Sequence, residues 1–152
     1  MTTTSAKETV LAMIDAMRVG DFSKAVSFYH DEIDFVGYAP VELFTKLGQR
    51  RGKTEVMQTM MAIHDLYVRR RTEIEFIAAE DNRVSVIICL HLQKRENDRV
   101  IQLRNANFYE LRDGLIAQQR MFLDSFDLLQ QVLEVDLTET VEKARKLRPR
   151  SP

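Results

Sequence analysis

The stretch RVIQLRNANFYELRDGLIAQQRMFL, residues 99–123, decides the fold that we predict for this chain. β-Branched and aromatic residues are frequent on both sides of Asp113 and Gly114, which interrupt the stretch. These two residue types accept the positive φ of tight hairpin turns. The stretch therefore predicts two antiparallel strands, 99–111 and 115–123, joined by a short turn.

Two earlier segments have the same composition and extend this hairpin into a meander. Residues 72–79 and 83–93 are rich in β-branched and aromatic side chains, with a polar break at 81–82 between them. A second polar run, 94–98, separates them from the strand that begins at residue 99. We expect a four-stranded antiparallel sheet with long strands.

The first part of the chain has the spacing of two short helices and a strand. Ser5 and Glu8 have capping-box spacing, and apolar residues follow at helical intervals until Gly20. Asp21 can cap a second helix, because its carboxylate accepts from free backbone N–H groups. Residues 33–38 then indicate a strand.

The remaining segments are less regular. Residues 40–52 are expected to hold a loop and a short strand, and 54–67 indicate a longer helix. Asp124 can cap a last amphipathic helix. Residues 138–147 have a weak helical pattern, and we expect 148–152 to be a frayed tail.

This order of elements predicts an α+β fold. We expect a cone-shaped barrel in which a curved antiparallel sheet carries helices on its concave face, an arrangement that can enclose a pocket. The 152 residues have the length of one domain. We place that domain at 1–136, followed by a C-terminal extension, 137–152, that is partly helical or frayed.

The composition excludes several classes of function. The formal net charge of −1 provides no electrostatic footprint for nucleic acid or an acidic membrane surface. No apolar run approaches the ~20 residues of a membrane span, and the N-terminus lacks a signal-peptide pattern. Cys89 is the only cysteine, which excludes an intrachain disulfide and is typical of a reducing compartment. We therefore expect a cytoplasmic protein with no nucleic-acid or membrane partner.

Several motifs follow one another in a recognisable order: RVGDF at 18–22, FYHDEIDF at 28–35, RGKTE at 51–55, and DGLIAQQRMFLD at 113–124 followed by LLQQ at 128–131. In this order they resemble the nuclear transport factor 2-like superfamily, in its SnoaL-like and ketosteroid-isomerase-like branches, over roughly residues 5–135. The resemblance implies a cone-shaped barrel, usually dimeric, with a pocket between sheet and helices. Members include isomerases, cyclases, hydrolases and dehydratases that work without cofactors, and others are not enzymes.

The family's catalytic positions carry other residue types in this sequence. Ketosteroid isomerases use a tyrosine, an aspartate base and a protonated aspartate, and the matching positions hold Met13, Gly37 and Asn107. Of these, only Asn107 can donate a hydrogen bond to an oxyanion. Limonene-epoxide-hydrolase-like members use two aspartates, an arginine, a tyrosine and an asparagine. The matching positions hold His91, Met121, Cys89, Phe35 and Gly37.

Strand alternation predicts the pocket wall independently, because residues two apart share a face. In strand 99–111 one face has no charged residue from Leu103 to Leu111, and it carries Asn105, Asn107 and Tyr109. The inner face of strand 115–123 carries Gln119 and Met121. Buried amides need partners, so these amides either bond to one another as a structural network or point into a polar pocket.

The histidines and the cysteine are the remaining candidates for chemistry. Either face of strand 83–93 can point inward, and the resemblance favours Cys89 and His91. His91 can act as a general acid or base near neutral pH, or it can face solvent at the strand end. His64 shares a helix face with methionines such as Met60, a pattern typical of a core, although the matching helix lines the pocket in the family.

These observations predict one site. His91 is the acid or base, and Asn107 with Tyr109 stabilises an oxyanion. The other pocket residues are Met13, Phe35, Gly37, Met60, His64, Cys89, Asn105, Gln119 and Met121. The histidines and the cysteine have no metal-ligand spacing, and 48–54 are one residue short of a phosphate loop, so we expect no metal and no cofactor. The basic run 69–71 is expected to be a solvated helix end.

Two functions fit this site. The first is a cofactor-independent isomerase, cyclase, dehydratase or hydrolase acting on a small, largely apolar molecule. The second is a non-catalytic ligand-binding or dimeric interaction module that lost the family's acid and base residues.

We expect a homodimer built on the outer face of the sheet. This face carries Arg104, Phe108, Arg120 and Phe122, a mixture of aromatic and charged residues typical of interfaces. We expect both arginines to pair with Glu110 of the partner subunit across a two-fold axis. The alternative is that the C-terminal segment covers this face in a monomer.

Overall fold

A computed structural model describes residues 4–148 of the chain. In this range the elements are α1 Ala6–Arg18, α2 Phe22–Ser27, β1 Tyr29–Tyr38, β2 Gly48–Arg51, α3 Lys53–Leu66, β3 Tyr67–Glu80, β4 Arg83–Lys94, β5 Val100–Arg112, β6 Leu115–Leu123, α4 Ser125–Leu133 and α5 Thr138–Leu147. Their order and type confirm the predicted α+β class.

The helices begin where the sequence places capping side chains. The capping box of α1 is formed, with Glu8 N donating to Ser5 Oγ at 3.2 Å and Ser5 N donating to Glu8 Oε2 at 2.7 Å. Asp21 accepts from Lys24 N at 3.0 Å at the start of α2. Asp124 caps α4 in the same way, at 3.0 Å from Asp127 N. These bonds satisfy N–H groups that a helix leaves free at its start.

The six strands form one curved sheet in the order β2-β1-β6-β5-β4-β3. Strands β3 to β6 are the predicted antiparallel meander, with positive φ at the turn residues Asp81, Asp113 and Gly114. Strand β2 pairs with β1 antiparallel, whereas β1 pairs with β6 in parallel. The sheet is therefore antiparallel except at this one junction.

Strands β1 and β3 are longer than their sequence patterns predict. β1 begins at Tyr29 rather than at residue 33, and β3 begins at Tyr67, directly after α3, rather than at residue 72. The prediction that 69–71 form a solvated helix end is wrong. Pairing with the end of β4 supplies hydrogen bonds that hold this charged segment in the sheet, as in the pair Arg69–Leu92.

Register shifts explain the curvature of the sheet. One lies in β3 between Arg69 and Arg71, and another lies between Ile74 and Phe76. A third lies in β5 between Glu110 and Leu111. A bulge bends its strand and increases the local twist, so the sheet curls toward α1, α2 and α3. The helices and the concave face bury the main core between them, including Val10, Ile14, Val56 and Met60.

Helix α4 closes one end of the cone. Its Leu128 packs in a second apolar cluster with Tyr67, Leu92 and Ile101. The Lys94 ammonium, on a side chain only 5% exposed, donates to Gln131 O, Val132 O and Glu134 Oε1 at 2.8–2.9 Å. A cation at the C-terminal end of a helix satisfies its free carbonyls.

Helix α5 has no buried residue. It occupies most of the predicted C-terminal extension, whose last residues, 149–152, lie outside the described part of the chain. Within residues 4–148 no helix has the length and apolar character needed to cross a membrane.

Candidate functional site

A cavity of about 330 Å³ lies between the concave face of the sheet and the helices α1, α2, α3 and α4. Apolar side chains make up most of its wall. Nine residues of the predicted site line it: Met13, Phe35, Met60, His64, Asn105, Asn107, Tyr109, Gln119 and Met121. The size and the mostly apolar wall with few polar groups are typical of a small-molecule site.

The neighbouring strands β5 and β6 place the polar groups of the wall together. Asn105, Asn107 and Tyr109 alternate along β5, so all three point inward. Across the ladder Tyr109 lies opposite Gln119, and Asn107 lies opposite Met121. The uncharged face of each strand is the inner one, as the alternation predicts.

A directional chain of hydrogen bonds connects these polar groups. Tyr29 Oη donates to Gln119 Oε1 at 2.7 Å, and Gln119 Nε2 donates to Asn107 Oδ1 at 2.9 Å. Asn107 Nδ2 then donates to Asn105 Oδ1 at 2.6 Å. The amides therefore bond to one another and also line the cavity. The two alternatives that the sequence leaves open, a structural network and a polar pocket wall, both describe part of the arrangement.

Two hydrogen-bond donors next to this chain of hydrogen bonds have no acceptor in the described structure. Asn105 Nδ2 and the Tyr109 hydroxyl form no hydrogen bond with any atom among residues 4–148, and both residues line the cavity. Both residues are buried, 5% and 4% exposed. Burial raises the pKa of Tyr109, and that of Tyr29, above the ordinary value, so both phenols keep their protons at neutral pH.

Gly37 lies behind the cavity wall rather than on its surface. It is buried in β1, and a Cβ at this position would lie 3.2 Å from Met121 Cε, 3.3 Å from Phe35 Cε1 and 3.4 Å from Leu47 Cδ2. The missing side chain thus leaves room for three side chains that do line the cavity. The family's asparagine or aspartate at this position has no counterpart here.

His64 lies in the last turn of α3 and lines the cavity. Its ring packs edge to face against Phe22, with the centroids 5.1 Å apart. Met60, one turn earlier, is buried in the same wall. His64 is exposed to solvent, so it is a pocket residue with one aromatic contact rather than a core residue.

Cys89 and His91 do not line the cavity, and the register that turns them inward is wrong by one residue. The lining side chains of β4 are Ile88, Leu90 and Leu92. The physical reason is hydrophobic: this set of alternate positions is entirely apolar, so the opposite set, which carries the cysteine and histidine, takes the outer face.

On the outer face these two residues form a polar cluster. His91 Nε2 lies 3.6 Å from Glu73 Oε2 and 3.8 Å from Cys89 Sγ. Gln102 Nε2 donates to the same sulfur at 3.3 Å. Glu73, Cys89 and His91 each hold one potential ligand atom within 4.8 Å of the others. Sequence spacing could not show this cluster, because strand pairing brings Glu73 opposite Cys89.

Sequence reasoning missed most of the apolar wall and also three residues with polar or charged groups in it, Tyr29, Arg18 and Arg69. Tyr29 is the first residue of β1 and is 2% exposed, although the strand pattern in the sequence begins only at residue 33. Arg18 ends α1 and pairs with Asp15 at 2.7 Å. Arg69 belongs to a run of three arginines, and nothing local to that run indicates which one faces inward.

The predicted interface residues lie on the outer face and remain partly uncovered within the described chain. Phe108 is 50% exposed and Phe122 is 46% exposed. Phe122 stacks on Tyr38 with ring centroids 4.5 Å apart, and Phe108 meets it edge to face at 5.9 Å.

The charges around these aromatic residues are paired within the chain, contrary to the predicted pairing with the partner subunit. Arg104 binds Glu75 through two nitrogens at 2.7 and 2.8 Å, and Arg120 binds Asp34 at 2.9 Å. Glu110 lies 3.3 Å from Arg83. Neither arginine therefore needs a carboxylate from a second copy.

Comparison with known proteins assigns the fold to a family. The family model of the SnoaL-like domain matches residues 10–119. No curated protein matches the chain. A provisionally assigned isomerase from Rhodopseudomonas palustris has a similar structure with 27% sequence identity and a TM-score of 0.78, covering 89% of this chain and 100% of its own.

Two further solved structures share the fold at lower identity. A provisionally assigned polyketide cyclase from Pseudomonas putida is 18% identical, with a TM-score of 0.71, over 85% of this chain and 98% of its own. TerC, co-crystallised with polyporic acid, is 15% identical, with a TM-score of 0.75, over 84% of this chain and 98% of its own. The family match, which covers most of the chain, shows that the chain belongs to the SnoaL-like family.

Proposed function

We propose that this protein binds a small, largely apolar carbonyl compound in the cavity, with the carbonyl oxygen accepting a hydrogen bond from the Tyr109 hydroxyl. The observation that carries the proposal is this donor, which has no hydrogen-bond partner within residues 4–148, in a mostly apolar cavity of about 330 Å³. A ligand oxygen beside the hydroxyl supplies the missing acceptor, and Asn105 Nδ2 is a second free donor for another polar group of the ligand.

Energetics support a ligand of this type. A hydrogen bond from the Tyr109 hydroxyl to a ligand carbonyl contributes about 0.5–1.5 kcal/mol. The apolar wall favours a hydrocarbon or aromatic skeleton, at roughly 25 cal/mol for each Å² of apolar surface removed from water. The two requirements together describe a ketone, quinone or similar molecule.

Catalysis on the same ligand is the enzymatic form of this proposal. Donors aimed at a carbonyl oxygen stabilise the negative charge that develops when a neighbouring proton is removed. His64 is the candidate base, because histidine is the side chain whose ordinary pKa lies nearest neutrality and this one lines the cavity. The provisionally assigned isomerase at 27% identity supports this form.

Non-catalytic binding is the second candidate. No aspartate or glutamate lines the cavity in the described part of the chain, so the carboxylate base of ketosteroid isomerases has no equivalent there. His91, the acid or base that the sequence predicts, lies on the other face of the sheet and has no part in either form.

The test uses 1-tetralone and tetralin, which share a skeleton and differ in one carbonyl. We expect tighter binding of 1-tetralone, measured by displacement of a fluorescent probe. Equal affinity for the two compounds contradicts the proposal. Exchange of the protons next to the carbonyl in D₂O, followed by NMR, then separates the two forms. Catalysis is supported if the wild type exchanges these protons faster than buffer alone and His64→Gln does not. If the exchange rate with the wild type equals that in buffer alone, binding without catalysis is supported.

A homodimer through the outer face is the second part of the proposal. Phe108, Phe122 and Tyr38 form an exposed aromatic group with charges around it already paired, which lowers the cost of removing that face from water. Sedimentation of the wild type and of Phe108→Glu/Phe122→Glu tests it. A dimeric wild type with a monomeric, folded variant supports the dimer, and a monomeric wild type at micromolar concentration contradicts it.

A further inference from the structure

Arg69 is a cationic side chain in the wall of an apolar cavity. It is the third residue of β3 and pairs with Leu92, which is 4% exposed and faces inward. Directly opposite residues share a face of the sheet, so Arg69 also faces the cavity that it lines. The side chain is partly buried.

Its neighbours in the chain have partners, and Arg69 has none among residues 4–148. Arg70 points to the other face and donates to Gln93 Oε1 at 2.6 Å, and Arg71 pairs with Glu73. None of the ion pairs or side-chain hydrogen bonds of the described chain includes Arg69. Loss of hydration lowers the pKa of its guanidinium, and no acidic group offsets the effect.

The surroundings of this guanidinium do not contain the anion that it lacks. Arg18 lines the same cavity, but its charge is matched by Asp15. No aspartate or glutamate lines the cavity among residues 4–148. A desolvated arginine keeps its charge, because its ordinary pKa is far above neutrality, so its environment favours an incoming anion.

Strand register places Arg69 away from the two free donors. Arg69 pairs with Leu92, and Leu92 pairs with Ile101 on β5. Asn105 is four residues and Tyr109 eight residues further along β5, which is about 13 Å and about 26 Å at ~3.3 Å per residue. One elongated molecule can therefore meet a free donor of β5 and, well separated from it, a cation at the other end of the cavity.

We infer that the ligand of this cavity is an organic acid, whose carboxylate or similar anion binds Arg69 while its apolar body fills the cavity. A planar guanidinium with parallel N–H groups matches a carboxylate in a two-bond geometry. The inference rests on the proposed function, since it concerns a second polar contact of the same ligand.

The experiment uses two fluorescent probes that differ in one anion. 8-Anilinonaphthalene-1-sulfonate carries a sulfonate, and N-phenyl-1-naphthylamine is the same skeleton without it. Their affinities are measured for the wild type, Arg69→Met and Arg70→Met. Arg70→Met is the matched control, because it removes the same charge from the adjacent residue, whose side chain is on the outer face. Phe108→Ser/Phe122→Ser controls for binding to the outer aromatic group.

We expect Arg69→Met to lower the affinity for the sulfonate probe at least tenfold and to change the affinity for the neutral probe by less than twofold. Arg70→Met should change neither affinity. Unchanged affinity for the sulfonate, an equal loss for both probes, or the same loss in Arg70→Met overturns the anion site and leaves the proposed function standing. Failure of both probes to bind the wild type, or binding abolished by Phe108→Ser/Phe122→Ser, contradicts the proposed function together with the anion site.

Discussion

Gln119 Nε2 donates to Asn107 Oδ1 at 2.9 Å, although the two residues are diagonal neighbours on strands β6 and β5 rather than a directly opposed pair. This bond places Asn107 in the middle of the polar chain, where it accepts from Gln119 and donates to Asn105. Asn107 therefore has a structural role, because its amide nitrogen and oxygen both bond other residues of the network. The Tyr109 hydroxyl has no hydrogen-bond partner in the described chain and faces the cavity.

Asn107→Leu should destabilise the protein. The substitution leaves the Gln119 amide N–H and the Asn105 carbonyl oxygen without partners in a buried site, so we expect the free energy of unfolding to fall by about 2–5 kcal/mol. Urea denaturation measures the change. Tyr109→Phe is the control, with an expected change below ~1 kcal/mol, since it removes a hydroxyl that bonds no protein atom within residues 4–148. A loss below ~1 kcal/mol in Asn107→Leu contradicts the network.

Lys94→Met should loosen the end of the cone. The ammonium satisfies two carbonyls at the end of α4 and pairs with Glu134, so its loss leaves these acceptors unmatched. We expect a loss of about 2–4 kcal/mol in the free energy of unfolding. Lys143→Met is the matched control, because Lys143 forms only an exposed pair with Glu139 and should change stability by less than ~0.5 kcal/mol. Equal effects of the two substitutions would show that Lys94 has no anchoring role.

Acid should weaken the junction between β1 and β6. Hydrogen bonding from Arg120 lowers the pKa of Asp34. The resulting stabilisation is complete above the unfolded-state pKa of ~3.9 and disappears as the pH falls through the lower folded-state value. With both side chains partly exposed, we expect about 1 kcal/mol. Unfolding free energies of the wild type and Asp34→Asn between pH 2 and pH 6 measure it. A constant difference between the two proteins across this range is the contradicting result.

The meander and the amide wall could be predicted because their signals are local. Asp113 and Gly114 mark the turn, and the uncharged face of β5 singles out Asn105, Asn107 and Tyr109 without knowledge of any partner strand. In β4 the inner face is the one whose alternate positions are all apolar, Ile88, Leu90 and Leu92. The register taken from the family turns Cys89 inward and therefore predicts the wrong face.

The rest of the site depends on contacts between distant segments. Whether Arg69, Arg70 or Arg71 faces inward is decided by pairing with Leu92 and by the register shift that follows, neither of which is visible in a run of three arginines. Tyr29 enters the polar chain through Gln119, 90 residues later. The partners of Lys94 lie about 40 residues away on α4 and its end.

The central claim is that the cavity donates hydrogen bonds to a ligand carbonyl, and one measurement tests it most directly. This is the ratio of the affinities for 1-tetralone and tetralin in the wild type and in Tyr109→Phe. Tyr29→Phe is the matched control, because the Tyr29 hydroxyl already bonds Gln119. We expect the wild type to prefer 1-tetralone by about tenfold, the equivalent of one hydrogen bond of about 1.4 kcal/mol. The ratio should fall toward one in Tyr109→Phe and stay near the wild-type value in Tyr29→Phe. An unchanged ratio in Tyr109→Phe, or no preference in the wild type, would contradict the account.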